Sequence, residues 1–224
     1  SIYSLIHYLE RRWGVFFCMG GTGKLVAELH RLIERSGIHV ELCTDIDEIT
    51  IGSGTATGAR ASDGRVFKAD RIICNADPPT VYKQMLNASN QRQKRPIPEA
   101  LSQYSMGLYV LFFGTRVTYP DLAHHTIWMG SRYKELLTDI FDRKILAEDF
   151  SLYIHRPTAT DPSFAPEGCD SFYVLCPVPN LLGKIDWQEK GPGLRDRIVA
   201  ALSKTIMPGL VTTISEEFWM TPED

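Results

Sequence analysis

The stretch from Gly20 to Leu42, GGTGKLVAELHRLIERSGIHVEL, decides how the chain is read. After the glycines, Leu25, Val26, Leu29, Leu32 and Ile33 recur along one helical face. Gly37 stands where a helix needs a left-handed C-terminal cap, and His39 to Leu42 reads as a short buried strand. A glycine turn, a helix and a strand in that order are parts of an α/β layer. Glycines ahead of a helix also let backbone N–H groups approach an anionic or flat ligand, because no Cβ intervenes. A plain tight turn needs the same residues. The stretch is not a dinucleotide fingerprint, since the third glycine of Gly-x-Gly-x-x-Gly is missing. It is not a P-loop either, because Leu25 follows Lys24 where Ser or Thr is required.

Upstream, Ile2, Leu5, Ile6 and Leu9 predict a helix ending near Trp13-Gly14. Downstream, Ile46, Ile49 and Ile51 alternate as in a strand, and Asp63-Gly64 predicts a hairpin over Thr57 to Phe67. Arg71 to Cys74 reads as another strand, ended by Asn75-Ala76-Asp77-Pro78-Pro79, which opens a helix. Asn, Gln, Lys, Arg and Pro dominate 87–98, the expected domain boundary. Residues 1–86 then form part of one domain, with the helix of 1–14 borrowed from the other, and 87–224 form the second. In that second domain Met106 to Phe113, Phe150 to His155 and Phe172 to Cys176 read as strands, and helices follow at Tyr133 to Phe141 and Leu194 to Ile206. Met106 to Phe113 is apolar on both faces, so it is expected to be covered by protein on one side and an apolar ligand on the other, with Leu108, Val110 and Phe112 as lining residues and the strand Phe172 to Cys176 as a second candidate, although ordinary core packing produces the same pattern.

The 224 residues carry 24 Lys and Arg against 27 Asp and Glu, a net charge of −3, with 44% hydrophobic residues. That balance argues against a nucleic-acid binder, and no apolar run approaches the roughly 20 residues of a membrane-spanning helix. Five scattered cysteines with no Cys-x-x-Cys pair argue against a disulfide framework or zinc finger and point to a reducing, cytoplasmic compartment. His124-His125 is not read as a metal site, because neighbours on a strand point to opposite faces, and His155 is expected to be an ordinary partly buried histidine. Both ends, Ser1 inside an apparent helix and Asp224 just after Thr-Pro, read as positions within a longer polypeptide.

Several stretches carry a resemblance. Gly20 to Leu25, Gly37 to Leu42, Ile46 to Ile49, Asp63-Gly64 and Ile72 to Pro78 are similar to the second part of the FAD-binding domain of the flavin amine oxidase and carotenoid desaturase superfamily. Ser1 to His7, Leu122 to Thr126, Leu146 to Tyr153, Asp161 to Gly168 and Gly191 to Ile198 resemble the bacterial and fungal phytoene desaturases. The resemblance implies the middle of a two-domain FAD-dependent oxidoreductase: an incomplete Rossmann-like FAD-binding layer of α/β class plus a β-rich α+β substrate domain. It places FAD against Gly20, Gly21, Ile46, Asn75 and Ala76, and assigns no catalytic residue. The implied activity is desaturation of a carotenoid precursor such as phytoene. An amine oxidase-like oxidoreductase and a non-catalytic lipid or carotenoid carrier are the alternatives. An apolar polyene partitions into bilayers, so peripheral association with a membrane surface is expected. Within Arg132 to Leu146, Tyr133, Leu136, Leu137, Ile140 and Phe141 form an apolar side edged by Arg132, Lys134, Arg143 and Lys144, although burial against the β domain produces the same spacing.

Overall fold

A computed structural model describes residues 2–86 and 104–224, with the side chains of 2 and 3 left aside. The expected boundary at 87–98 lies outside the described residues. In chain order the elements are α1 (Ile2–Trp13), α2 (Gly21–Arg35), β1 (Ile46–Gly52), β2 (Thr55–Ala61), β3 (Val66–Lys68), α3 (Pro78–Thr80), β4 (Gly107–Thr115), β5 (His125–Trp128), α4 (Tyr133–Thr138), β6 (Leu152–His155), β7 (Asp170–Val178), α5 (Trp187–Lys204), α6 (Leu210–Thr213) and β8 (Ile214–Met220). Two compact units result. One comprises the residues through Leu29 and from Tyr104 onward, and the other runs from His30 to the end of the described stretch at Leu86.

The larger unit is a five-stranded antiparallel sheet in the order β5-β6-β7-β4-β8, with α5 packed on one face. Strand periodicity of two sorts the side chains. Tyr109, Leu111 and Phe113 of β4 and Phe172, Val174, Cys176 and Val178 of β7 point into a core that Trp187, Leu194, Ile198, Val199 and Leu202 of α5 close. Asp186 caps α5, accepting the Glu189 N–H at 3.0 Å. Tyr109 stacks on Trp187 and donates to the Gly191 carbonyl at 3.1 Å, so its hydroxyl is satisfied inside the core. Leu108, Val110 and Phe112 fall on the opposite face, where Leu108 is exposed and Val110 and Phe112 are half-buried.

The smaller unit is built on the antiparallel sheet β1-β2-β3, whose β2–β3 turn contains Asp63-Gly64 as expected. Gly37 ends α2 in the left-handed region, and the Ile38 N–H reaches back to the Ile33 carbonyl at 3.2 Å. Two expected strands do not form: 39–42 and 71–74 have no ladder partner among the described residues, and Ile73 is 98% exposed. Leu32 and Ile33 of α2 are exposed as well, as are Leu25, Val26 and Leu29 of its larger-unit part. The reason is shared: a buried parallel strand needs neighbours on both edges, and an amphipathic helix needs a sheet to cover. The only sheet of this unit among the described residues is antiparallel.

The expected helix over Arg132 to Leu146 is shorter and broken. After α4 a π-helical turn spans Asp139–Arg143, ending at Lys144 with φ of 55°. Asp139, only 3% exposed, accepts from Arg132 at 2.9 Å and Arg143 at 2.8 Å, so two of the four basic residues turn back onto the protein. Leu136 and Ile140 are buried, while Tyr133 and Phe141 point outward.

Candidate functional site

The open face of the five-stranded sheet is ordered in rows. Cross-strand pairing sets Phe218 (β8), Phe112 (β4), Tyr173 (β7), His155 (β6) and His125 (β5) directly opposite one another across all five strands. The rings touch along this row: Phe218 and Phe112 stack with centroids 4.6 Å apart, and Phe112 lies 5.9 Å from Tyr173. The next row is Met220, Val110, Leu175, Tyr153 and Ile127, apolar apart from the Tyr153 hydroxyl. An open cavity of about 540 Å³ lies against the aromatic row, lined by Phe112, His155, Tyr173 and Phe218 from the sheet, by Phe17, Gly21 and Thr22, and by Phe164. Its polar groups are Thr22, His155, Ser171, Glu216 and Glu217, with the hydroxyl of Tyr173. A concave, largely aromatic surface of this kind recognises an apolar ligand by shape.

The glycine doublet takes its place here through the segment Asp161 to Phe164. Asp161 caps its own 3-10 turn through Ser163 and accepts the Gly20 N–H at 2.8 Å. Hydrogen bonds from Ser163 and then from Gly20 hold the Asp161 carboxyl below the usual range. The Gly21 N–H donates to Cys18 at 2.7 Å. Both amides are therefore already bonded, and what the doublet offers a flat group is close approach rather than donors. Gly21 has φ of +79°, and a Cβ on it would stand 2.7 Å from Cζ of Phe164. Gly21→Ala is expected to destabilise the larger unit by about 1–3 kcal/mol, from left-handed strain and overpacking together. In thermal melts the added substitution Phe164→Ala should recover part of that loss and not all, because it relieves the contact and leaves φ unchanged.

Three histidines converge at the other end of the row. His124 precedes β5 in a bend instead of lying within the strand, so the opposite-face rule does not govern it and its ring folds to the same side as His125, with centroids 4.5 Å apart. This corrects the expectation that the two rings diverge. His124 Nε2 lies 2.9 Å from His155 Nε2, and Phe17 packs edge-on against His124. Burial, then the neighbouring imidazoles His124 and His125, pushes His155 down to about 4; burial and His125 also lower His124. His155 Nδ1 is buried with no hydrogen-bond partner among the described residues, contrary to the satisfied histidine expected from sequence.

Of the remaining expected site residues, Leu108, Val110 and Phe112 share the open face, and Phe112 and Gly21 line one cavity. Ile46 starts β1 opposite Ala61 in the smaller unit, and Asn75 and Ala76 stand exposed outside any helix or strand. Tyr173 lies in the strand 172–176 that was expected to line the ligand, whereas Phe218 and Phe17 were not expected at a site. Phe218 belongs to β8, which has no alternating pattern, and its position depends wholly on pairing with a strand more than 100 residues earlier.

A helix-backed antiparallel sheet with an aromatic face, beside a glycine turn that opens a helix, is a mixed α/β arrangement with a cavity suited to an apolar ligand. Residues 1–165 match the family described as flavin containing amine oxidoreductase, and the chain belongs to that family. Among solved structures it is similar to an oxidoreductase from Methanosarcina mazei, at TM-score 0.63 and 19% identity over 98% of this chain and 47% of that one, which concerns the fold alone. Within the family, the chain is 45% identical to a phytoene desaturase (lycopene-forming) of Pseudescherichia vulneris over its whole length and 46% of the relative's. It is 40% identical to a phytoene desaturase (neurosporene-forming) of Cereibacter sphaeroides, again over its whole length and 44% of that protein's. The chain thus spans about half the length of the curated relatives it matches.

Proposed function

We propose that this chain is the substrate-binding half, with part of the cofactor layer, of an FAD-dependent phytoene desaturase in carotenoid biosynthesis. The observation that carries the reading is the open apolar face, with Phe218, Phe112 and Tyr173 in contact along one row and Val110 and Leu108 beside it. A polyene precursor has no polar handle, so only shape, dispersion and exclusion of water can hold it. FAD, when bound, supplies the oxidant for removing hydrogen from the C–C bond. The chain's own residues bind and align the substrate: the aromatic row provides a flat bed, and Phe17 and Phe164 wall the cavity beside Gly21. Gly20, Gly21, Ile46, Asn75 and Ala76 are the proposed cofactor contacts. Phytoene in lipid vesicles with FAD, given to a polypeptide of the relatives' full length that carries this chain, should yield longer conjugated polyenes by chromatography. Unchanged phytoene alongside a folded, flavin-loaded protein would overturn the reading.

Peripheral membrane contact belongs to the same proposal, within the cytoplasmic compartment. No helix among the described residues is long and apolar enough to cross a membrane, and an exposed apolar surface edged by a basic residue is suited to meeting a bilayer from its face. Tyr133, Phe141 and Ile145 are exposed beside Lys134, which supports this region as the contact. Phe141→Ser should reduce recovery in vesicle flotation several-fold while the thermal transition stays in place. Undiminished flotation would remove this region from the proposal.

A further inference from the structure

We propose that His124, His125 and His155 bind a divalent first-row transition-metal ion, with zinc the best fit to their donor set. One ring nitrogen from each lies within 4.8 Å of the other two, from residues at the adjoining ends of β5 and β6. On two of the three rings Nδ1 is already held, while His155 Nδ1 is buried without a partner among the described residues. Thr160 Oγ1 hydrogen-bonds His124 Nδ1, and the Tyr153 hydroxyl bonds His125 Nδ1 at 2.5 Å. That is the arrangement by which a metalloprotein orients its imidazoles, with a hydroxyl, carboxylate or carbonyl on one nitrogen leaving the other for the metal.

The spacing is close to what an ion needs. With Zn–N bonds of about 2.0–2.1 Å at tetrahedral angles, two ligand nitrogens stand about 3.3 Å apart. His124 Nε2 and His155 Nε2 are 2.9 Å apart, so these two partly buried rings have to open by about 0.4 Å, while the exposed ring of His125, its nitrogen within 4.8 Å of theirs, is the one free to close on the ion. An all-imidazole set selects zinc, cobalt, nickel or copper over magnesium or calcium, which take oxygen ligands. Three protein ligands leave a fourth position for water or an added ligand. The ion would tie the bend before β5 to β6. This inference does not depend on the desaturase reading.

The test is titration of the 224-residue chain, freed of metal by chelation, with cobalt(II), followed by its visible d–d bands. One equivalent is expected, displaced by zinc. His124→Gln and His155→Gln should each weaken binding at least about 10-fold, and Thr160→Val and Tyr153→Phe about 10-fold, whereas His30→Gln should leave it unchanged. Absence of saturable binding, binding indifferent to the His124 and His155 substitutions, or thiolate charge-transfer bands showing cysteine ligation would overturn the proposal. Should a histidine variant fail to fold, the unsubstituted chain still decides the matter through carbethoxylation mapped by mass spectrometry. Zinc should protect His124, His125 and His155 and not His7 or His39, and equal labelling with and without zinc would count against the site.

Discussion

Replacing Asp170 by alanine is expected to cost the larger unit about 3–5 kcal/mol, measured by urea unfolding followed through the fluorescence of buried Trp187. Asp170 is 2% exposed and serves three donors. Its Oδ2 accepts from Arg156 Nε at 2.9 Å and from the Tyr119 N–H at 2.7 Å, and its Oδ1 accepts from the Thr158 hydroxyl at 2.5 Å. Arg156 also donates to the Leu122 carbonyl at 2.9 Å, so the pair ties the loop of residues 119–122 to β6 and β7. Alanine leaves a buried guanidinium without its counter-charge and an amide without its acceptor, the costly kind of loss. Replacing the pair together, Asp170→Leu with Arg156→Met, should cost much less than Asp170→Ala alone, because no charge is then stranded. A single-variant loss below about 1 kcal/mol would mean that water reaches Arg156 and that the pair is not a structural tie.

Phe112→Asp in a full-length polypeptide carrying this chain is expected to lower kcat/KM for phytoene about 100-fold, equal to about 2.7 kcal/mol, with little change in melting temperature. The carboxylate would sit in the aromatic row between Phe218 and Tyr173, where a polyene cannot solvate it. The neighbouring residue supplies the contrast. Leu111 is fully buried on the other face of β4, so Leu111→Ala should cost about 2–5 kcal/mol of stability. Its kcat/KM per folded molecule should stay near the parent value. If both substitutions act only on stability, or both only on turnover, the assignment of the two faces is wrong.

Much of this protein was legible locally. Helices α1, α2 and α5, the cap at Gly37, the hairpin at Asp63-Gly64 and strands β4, β6 and β7 follow from spacing and turn chemistry, which act over a few residues. The family came from the resemblance of several stretches to known flavoproteins, and the match over residues 1–165 bears that resemblance out. Local pattern also put Leu108, Val110 and Phe112 on one face of a strand. It could not say that this face would be left open, since an apolar residue reads the same against a helix as against a ligand.

Tertiary structure alone decided the rest. The strand order β5-β6-β7-β4-β8 brings Phe218 and His125 into one row from opposite ends of the sheet, a consequence of pairing register that no single strand encodes. The three-histidine cluster arises because the chain bends at His124, before β5 begins, which removes the alternation that would have separated its ring from that of His125. In the opposite sense, 39–42 and 71–74 have the composition of strands and remain unpaired among the described residues. Local composition determines which segments can become strands or helix faces, whereas only the partners that bury them decide whether they do, because burial and ladder hydrogen bonds stabilise a segment only when a second surface meets it.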